Sequence, residues 1–155
     1  MTRVGPEPIV LEDALRAVED PSCGGIAVFL GVVRNRHEGK RVTKIHYDAY
    51  PEMANAVLAR IEAGLRRTHG AKAVYLAHRT GLHRVGDASV VVAVATPHRG
   101  EAFAACREGI ERIKSELPVW KKEYGPGGAV WKEEVALRKP ARRTSRRPAA
   151  RSRRT

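Results

Sequence analysis

The chain has 155 residues, enough for one domain with a hydrophobic core of useful size. Hydrophobic residues make up 43% and aromatics only 5%. No run approaches the roughly 18 uninterrupted apolar residues of a membrane span, and the N-terminus lacks a signal-peptide pattern, so a cytoplasmic protein without a membrane partner is expected. The net charge of +12 suggests a nucleic-acid binder until it is divided along the chain.

Residues 138–155 carry nine basic side chains, from Arg138 and Lys139 to Arg153 and Arg154, and no acid. Without those nine, 20 basic residues face 17 acidic ones over 1–137, a net charge of +3. The expected organisation is therefore a mildly basic folded domain over 1–137 and an Arg-rich tail over 138–155. The tail holds too little apolar content to fold by itself and is expected to be disordered. Cys23 and Cys106 are far apart and form no CxxC pair, which in a cytosolic chain reads as two idle thiols rather than a disulfide or a metal site.

Leu11 to Asp20 reads as a short helix with Leu11, Leu15 and Val18 on one side, stopped by Pro21. After the Cys23-Gly24-Gly25 turn, the apolar run Ile26 to Val33 predicts a strand buried on both faces. Arg34 to Lys40 is polar and predicts an exposed loop. Val42 to Tyr50 alternates as a half-buried strand. Pro51 suits the first turn of a helix, and Met53, Val57, Ile61 and Leu65 give it an apolar stripe to about Thr68, with Gly70 beyond. Ala73 to Leu76 and Ser89 to Ala95 predict strands separated by a turn at Gly86-Asp87. A second long helix is expected from about Gly100 to Leu117, with Phe103, Cys106, Ile110, Ile113 and Leu117 as its stripe and Pro118 ending it. Val119 to Glu123 and Ala129 to Glu134 flank Gly125-Pro126-Gly127-Gly128 as a hairpin. The order predicts a two-layer α+β domain.

Several chemistries are excluded by motif. The chain has no GxxxxGK[ST] phosphate loop, no GxGxxG after a strand, no GxSxG elbow and no paired histidines with zinc spacing. What remains is cationic. His98 and Arg99 stand where a strand meets a helix N-terminus, a place that favours phosphate; the alternative is a plain polar helix entrance. Lys114 borders the stripe of the second long helix, and Lys121 follows Trp120 just past the proline break. Partial burial would give such amines useful acid–base or oxyanion-stabilising properties; the alternative is a pair of surface lysines with stems lying over apolar neighbours. Arg34, ending the first strand, could point into a cleft.

Together these groups carry a resemblance. Phe29-Leu30-Gly31-Val32-Val33-Arg34, His46-Tyr47-Asp48-Ala49-Tyr50, His78-Arg79-Thr80-Gly81, Val85-Gly86-Asp87, Pro97-His98-Arg99 and Pro118-Val119-Trp120-Lys121-Lys122-Glu123 occur in that order, closing at Trp131. In this arrangement the chain resembles the catalytic, large subunit of molybdopterin synthase, the MoaE family, from about Val4 to Glu134.

The resemblance implies an α/β hammerhead-type domain with a mostly antiparallel sheet and a small extra β subdomain. It implies a homodimer that forms a heterotetramer with a small ubiquitin-like sulfur-carrier subunit. It implies that the carrier's C-terminal Gly-Gly ends in a thiocarboxylate and that two sulfurs, delivered in separate rounds, convert cyclic pyranopterin monophosphate (precursor Z) into the molybdopterin dithiolene. By position, Lys114 and Lys121 match the family's two functional lysines. Val32, Val33, Arg34, His98, Arg99, Lys122 and Glu123 match its substrate-binding positions, and Phe29 lies near the carrier's threaded tail. Lys132, Arg138 and Lys139 are candidates for a basic residue that the family draws from the neighbouring protomer. No cofactor and no metal are expected, because the sulfur arrives already activated.

The competing readings are a nucleic-acid module driven by the tail and a scaffold that binds the carrier without catalysis. Scarce aromatics and a nearly balanced domain oppose the first, and the filled cationic positions oppose the second. Deleting residues 138–155 separates the tail from the domain: synthase turnover should survive, and any nucleic-acid affinity measured by salt-dependent retention should vanish. Loss of turnover on deletion would place the tail in the reaction.

Overall fold

The computed structural model describes residues 1–133; the tail at 138–155, with its candidates Arg138 and Lys139, lies outside them. In chain order the elements are β1 (Thr2–Gly5), α1 (Leu11–Ala17), β2 (Gly25–Val32), β3 (Arg36–His37), β4 (Lys40–Arg41), β5 (Lys44–Ala49), α2 (Pro51–His69), β6 (Ala73–Arg79), β7 (Gly81–Arg84), β8 (Ala88–Thr96), α3 (Arg99–Glu116), β9 (Val119–Gly125) and β10 (Gly128–Glu133).

Local chemistry sets the ends of both long helices. Pro51 occupies the first turn of α2, where no intrahelical N–H is required. Gly70 closes that helix in the left-handed region at φ 64°, a conformation open to glycine at little cost. Leu117, held extended before Pro118, stops α3.

Two sheets form. The first has strand order β1-β6-β8-β2, with β1 parallel to β6 and the other pairs antiparallel. The second is antiparallel in the order β10-β9-β5-β7. The short β3-β4 ribbon stands apart from both. Leu58, Ile61 and Leu65 of α2 pack with Val74, Leu76, Val90, Val92 and Val94 in the main core, which continues into the second sheet through Ile45, Tyr47 and Val119. On the other face of the first sheet, Ala14 and Val18 pack with Tyr75, Ala77, Val91, Ala93 and Ala95. This is an α+β fold, as expected.

Three local expectations are corrected. The strands buried on both faces are β6 and β8, not β2. β2 is the outer strand of its sheet, and Ile26, Phe29, Leu30 and Val32 all stay exposed. In α1, Ala14 and Val18 turn inward while Leu11 and Leu15 remain exposed, because the helix ends at Ala17 and Val18 caps it. In α3, Phe103 is exposed and the buried stripe is Ala102, Ala105, Cys106, Gly109 and Ile113. Small residues let this helix approach β8 closely: a Cβ on Gly109 would come within 2.9 Å of Val92 Cγ1. β1, β7 and the β3-β4 ribbon carry too little apolar pattern to be read from sequence.

Where the sheets meet, Tyr47 stands edge-on to both His78 and His83, with ring centroids 5.1 and 5.0 Å away. His83 is fully buried, its Nδ1 lies 2.9 Å from the Gly81 carbonyl oxygen, and its Nε2 makes no hydrogen bond. Nδ1–H therefore donates and Nε2 is bare. Burial lowers the His83 pKa against a smaller opposing pull from the Gly81 carbonyl. With the folded value below the unfolded one, this contribution to stability is complete above the unfolded histidine value of about 6.5 and is lost as the pH falls toward the folded value. The Tm of the native chain should fall as pH drops from about 7.5 to about 5.5, the range in which histidines titrate. In His83→Leu that fall should be smaller, whatever the absolute Tm. Parallel curves for the two proteins would contradict the assignment.

Candidate active site

A cleft of about 440 Å³ opens between the end of β2, the ribbon β3-β4, the second sheet and the last turn of α3. Its position follows from two local features. At Gly31/Val32 the pairing of β2 with β8 shifts register, a bulge that redirects the strand end. Gly31 is required there, since a Cβ would collide with Val90 Cγ1. Past the bulge, Val33 is buried and its backbone exchanges hydrogen bonds with Asp87 O (3.0 Å) and Gly86 N (2.8 Å), which fixes where Arg34 departs. The second feature is the pleat of β9. Alternation turns Lys121 and Glu123 toward the cleft and Lys122 to the opposite face.

Of the ten residues singled out from sequence, seven line this cleft. Phe29, Val32, Val33 and Arg34 come from β2 and its continuation, Lys114 from the last turn of α3, and Lys121 and Glu123 from β9. The other three lie elsewhere in the protomer. Lys122 stands over Tyr124 and Trp131, its Nζ 5.5 and 5.3 Å from their ring centroids. His98 caps α3 and Arg99 opens it, beside the start of β2, where a Cβ on Gly25 would meet Arg99 Cα at 3.2 Å. An 18-residue helix spans about 27 Å, so this entrance is far from the Lys114 end. The expected burial of Lys114 is also corrected: it is exposed at the cleft's rim, because Ile113 and not Lys114 takes the inward position in the last turn of α3.

Glu123 organises the interior. It is 9% exposed, and its Oε1 lies 2.7 Å from His37 Nδ1 and 3.4 Å from Lys121 Nζ, while Oε2 lies 3.4 Å from Lys132 Nζ. Burial alone would raise its pKa, but the hydrogen bond from His37 and the charges of Lys121, His37 and Lys132 outweigh burial, and the net shift is downward. The carboxylate is thus ionised and holds Lys121, itself mostly buried, against the cleft wall. Lys132 is tied within its own protomer, 2.7 Å from Glu38 Oε2 as well.

His37 and Arg36 were not anticipated as site residues, and Lys132, a sequence candidate for a basic residue from a neighbouring copy, meets Glu123 of its own chain. The stretch holding the first two reads as a loop, yet it forms a ribbon around Glu38 and Gly39, both at positive φ. That is the signature of a two-residue hairpin turn, and Gly39 was its one visible trace.

Chemically, the cleft offers Arg34 and Arg36 for an oxyanion, the Lys114 and Lys121 amines for proton transfer or anion stabilisation, and apolar walls from Phe29, Val32 and Val33. It contains no thiol. Cys106 lies under α3 with its Sγ 3.8 Å from Val92 O, and burial raises its pKa away from the reactive thiolate; Cys23 does not line the cleft either.

The fold and the sequence have close counterparts. Molybdopterin synthase catalytic subunit 1 of Mycobacterium tuberculosis is 42% identical over 129 residues, 83% of this chain and 88% of that protein. The crystal structure of molybdopterin synthase from Staphylococcus aureus superposes with a TM-score of 0.79 at 34% identity, over 84% of this chain and 95% of the other. A chain from the complex of subunits 1 and 2 of the Helicobacter pylori molybdopterin-converting factor shares the fold at 19% identity, with a TM-score of 0.64 over 89% and 91% of the two chains. The sequence pattern of the MoaE protein family matches residues 4–116, from β1 to the end of α3. The chain belongs to the MoaE family.

Proposed function

We propose that this chain is the catalytic subunit of molybdopterin synthase, transferring sulfur from a thiocarboxylated carrier subunit to cyclic pyranopterin monophosphate. The observation that carries the reading is the convergence of Lys114, Lys121 and Arg34 on one cleft that contains no thiol. Such a site can bind a phosphorylated substrate and move protons, but its sulfur has to come from outside. A separate carrier meets that need.

The roles divide by environment. Lys121, paired with Glu123, is held in place and stabilises negative charge as it develops on the substrate. Lys114, at the rim, serves as the main acid–base group. Arg34 receives phosphate, and Val32 and Val33 shape the adjoining wall. Phe29 lies at the mouth beside the open edge of β2, where an extended Gly-Gly tail with no side chains can enter. The exposed apolar residues Ile26, Leu30 and Val32 along that edge are the kind of surface that another subunit covers, which supports the homodimer and the heterotetramer with carrier. In this reading His98 and Arg99 contribute to phosphate binding from a second copy, since the length of α3 separates them from Lys114 in their own protomer. Lys122 acts through the aromatic face it covers rather than inside the cleft.

Reconstitution tests the reading. Native chain, precursor Z and thiocarboxylated carrier should yield dithiolene. Lys114→Ala should lose on the order of 10²- to 10⁴-fold in turnover, the usual effect of removing an aligned acid–base group. Full turnover by Lys114→Ala at saturating carrier would remove it from the reaction, and tight carrier binding with no product from the native chain would point to a scaffold. Arg34→Ala should raise KM for the pterin more than it lowers kcat, because a phosphate contact is present in ground and transition states alike. An unchanged KM would remove Arg34 from phosphate binding.

A further inference from the structure

His37 makes two contacts that cannot both be hydrogen bonds in one protonation state of its Nδ1. That atom lies 2.7 Å from Glu123 Oε1, which only accepts, and 2.9 Å from Lys132 Nζ, which as an ammonium only donates. If Nδ1 carries a proton it donates to Glu123. If it is bare it accepts from Lys132 and turns a lone pair toward an ionised carboxylate. Because Glu123 is flanked by Lys121 and Lys132 as well, it is charged, and the first arrangement is favoured. Lys132 keeps Glu38 Oε2 at 2.7 Å as its principal acceptor.

We propose that His37 is a positioning residue for the sulfur-transfer centre, acting through Glu123 on Lys121. The proposal rests on the assignment of Lys121 to the reaction. His37 and Lys121 approach the same oxygen of Glu123, so they compete for it. Neutral His37 donates one hydrogen bond and leaves the negative charge to Lys121. That hydrogen bond fixes the carboxylate on the side of Lys121. Without it the carboxylate can turn, and its hold on Lys121 weakens. The groups facing His37 are Glu123 and Lys121 from β9, Lys132 from β10, Glu38 from the turn and its cross-strand partner Lys40 from β4. His37 is itself partly exposed and lines the cleft.

Two measurements test this on the full-length chain. The ¹⁵N spectrum of the imidazole should show the Nδ1–H tautomer of His37 at neutral pH, and should lose that preference in Glu123→Gln. The second measurement is turnover of the reconstituted synthase. His37→Ala should lower kcat about tenfold with little change in KM for the pterin. His37→Asn, which places an amide N–H near the former Nδ1, should recover most of that loss. An Nε2–H tautomer, or a His37→Asn variant as slow as His37→Ala, would overturn the proposal. Absence of product from the native chain would instead overturn the functional reading, and the tautomer would then decide the role of His37 alone.

Discussion

A carboxylate withdrawn from water costs several kcal/mol unless its charge is answered nearby, and Glu123 receives that answer from three directions. Lys121 lies on its own strand, His37 on the ribbon after β2, and Lys132 on the neighbouring strand β10. The arrangement links three segments that have little apolar surface with which to hold one another. It also explains why the cleft wall is charged where a protein wall would otherwise be apolar. Remove the carboxylate, and Lys121 loses this ion pair, His37 Nδ1 loses its acceptor and Lys132 is left with Glu38.

The same interaction connects folding to chemistry. The pleat of β9 brings Lys121 and Glu123 to one face while the intervening Lys122 goes to the other, where it covers Tyr124 and Trp131. Pro118 ends α3 so that Lys114 stands at the rim opposite them. The bulge at Gly31/Val32 aims Arg34 at the same opening. Three unrelated local devices, a pleat, a proline stop and a glycine bulge, therefore deliver the cationic groups to one place. None requires a residue that could carry sulfur.

Much of this was legible in the sequence, and the remainder was hidden for definite reasons. The proline and glycine boundaries of α2 and α3 could be read directly, because they depend on backbone chemistry. The inward face of α3 could not, because Ala105 and Gly109 face β8 in place of large residues and shift the stripe away from Phe103. β2 looked buried because it is uniformly apolar, yet its place at the sheet edge leaves Phe29 and Val32 exposed. The match of Lys114, Lys121 and Arg34 to family positions anticipated the core of the cleft. His37 and Lys132, which lie 95 residues apart in sequence, could be brought together only by the topology of the second sheet and the ribbon.

The central claim is that this cleft, entered beside the edge of β2, receives the carrier's thiocarboxylate tail. It is tested most directly by placing a photo-crosslinking side chain at Phe29, irradiating the complex with carrier and sequencing the product. The account predicts attachment to the last residues of the carrier. Attachment to the carrier's folded body alone, or capture of the tail only from a probe at Phe103 on the far side of α3, would contradict it.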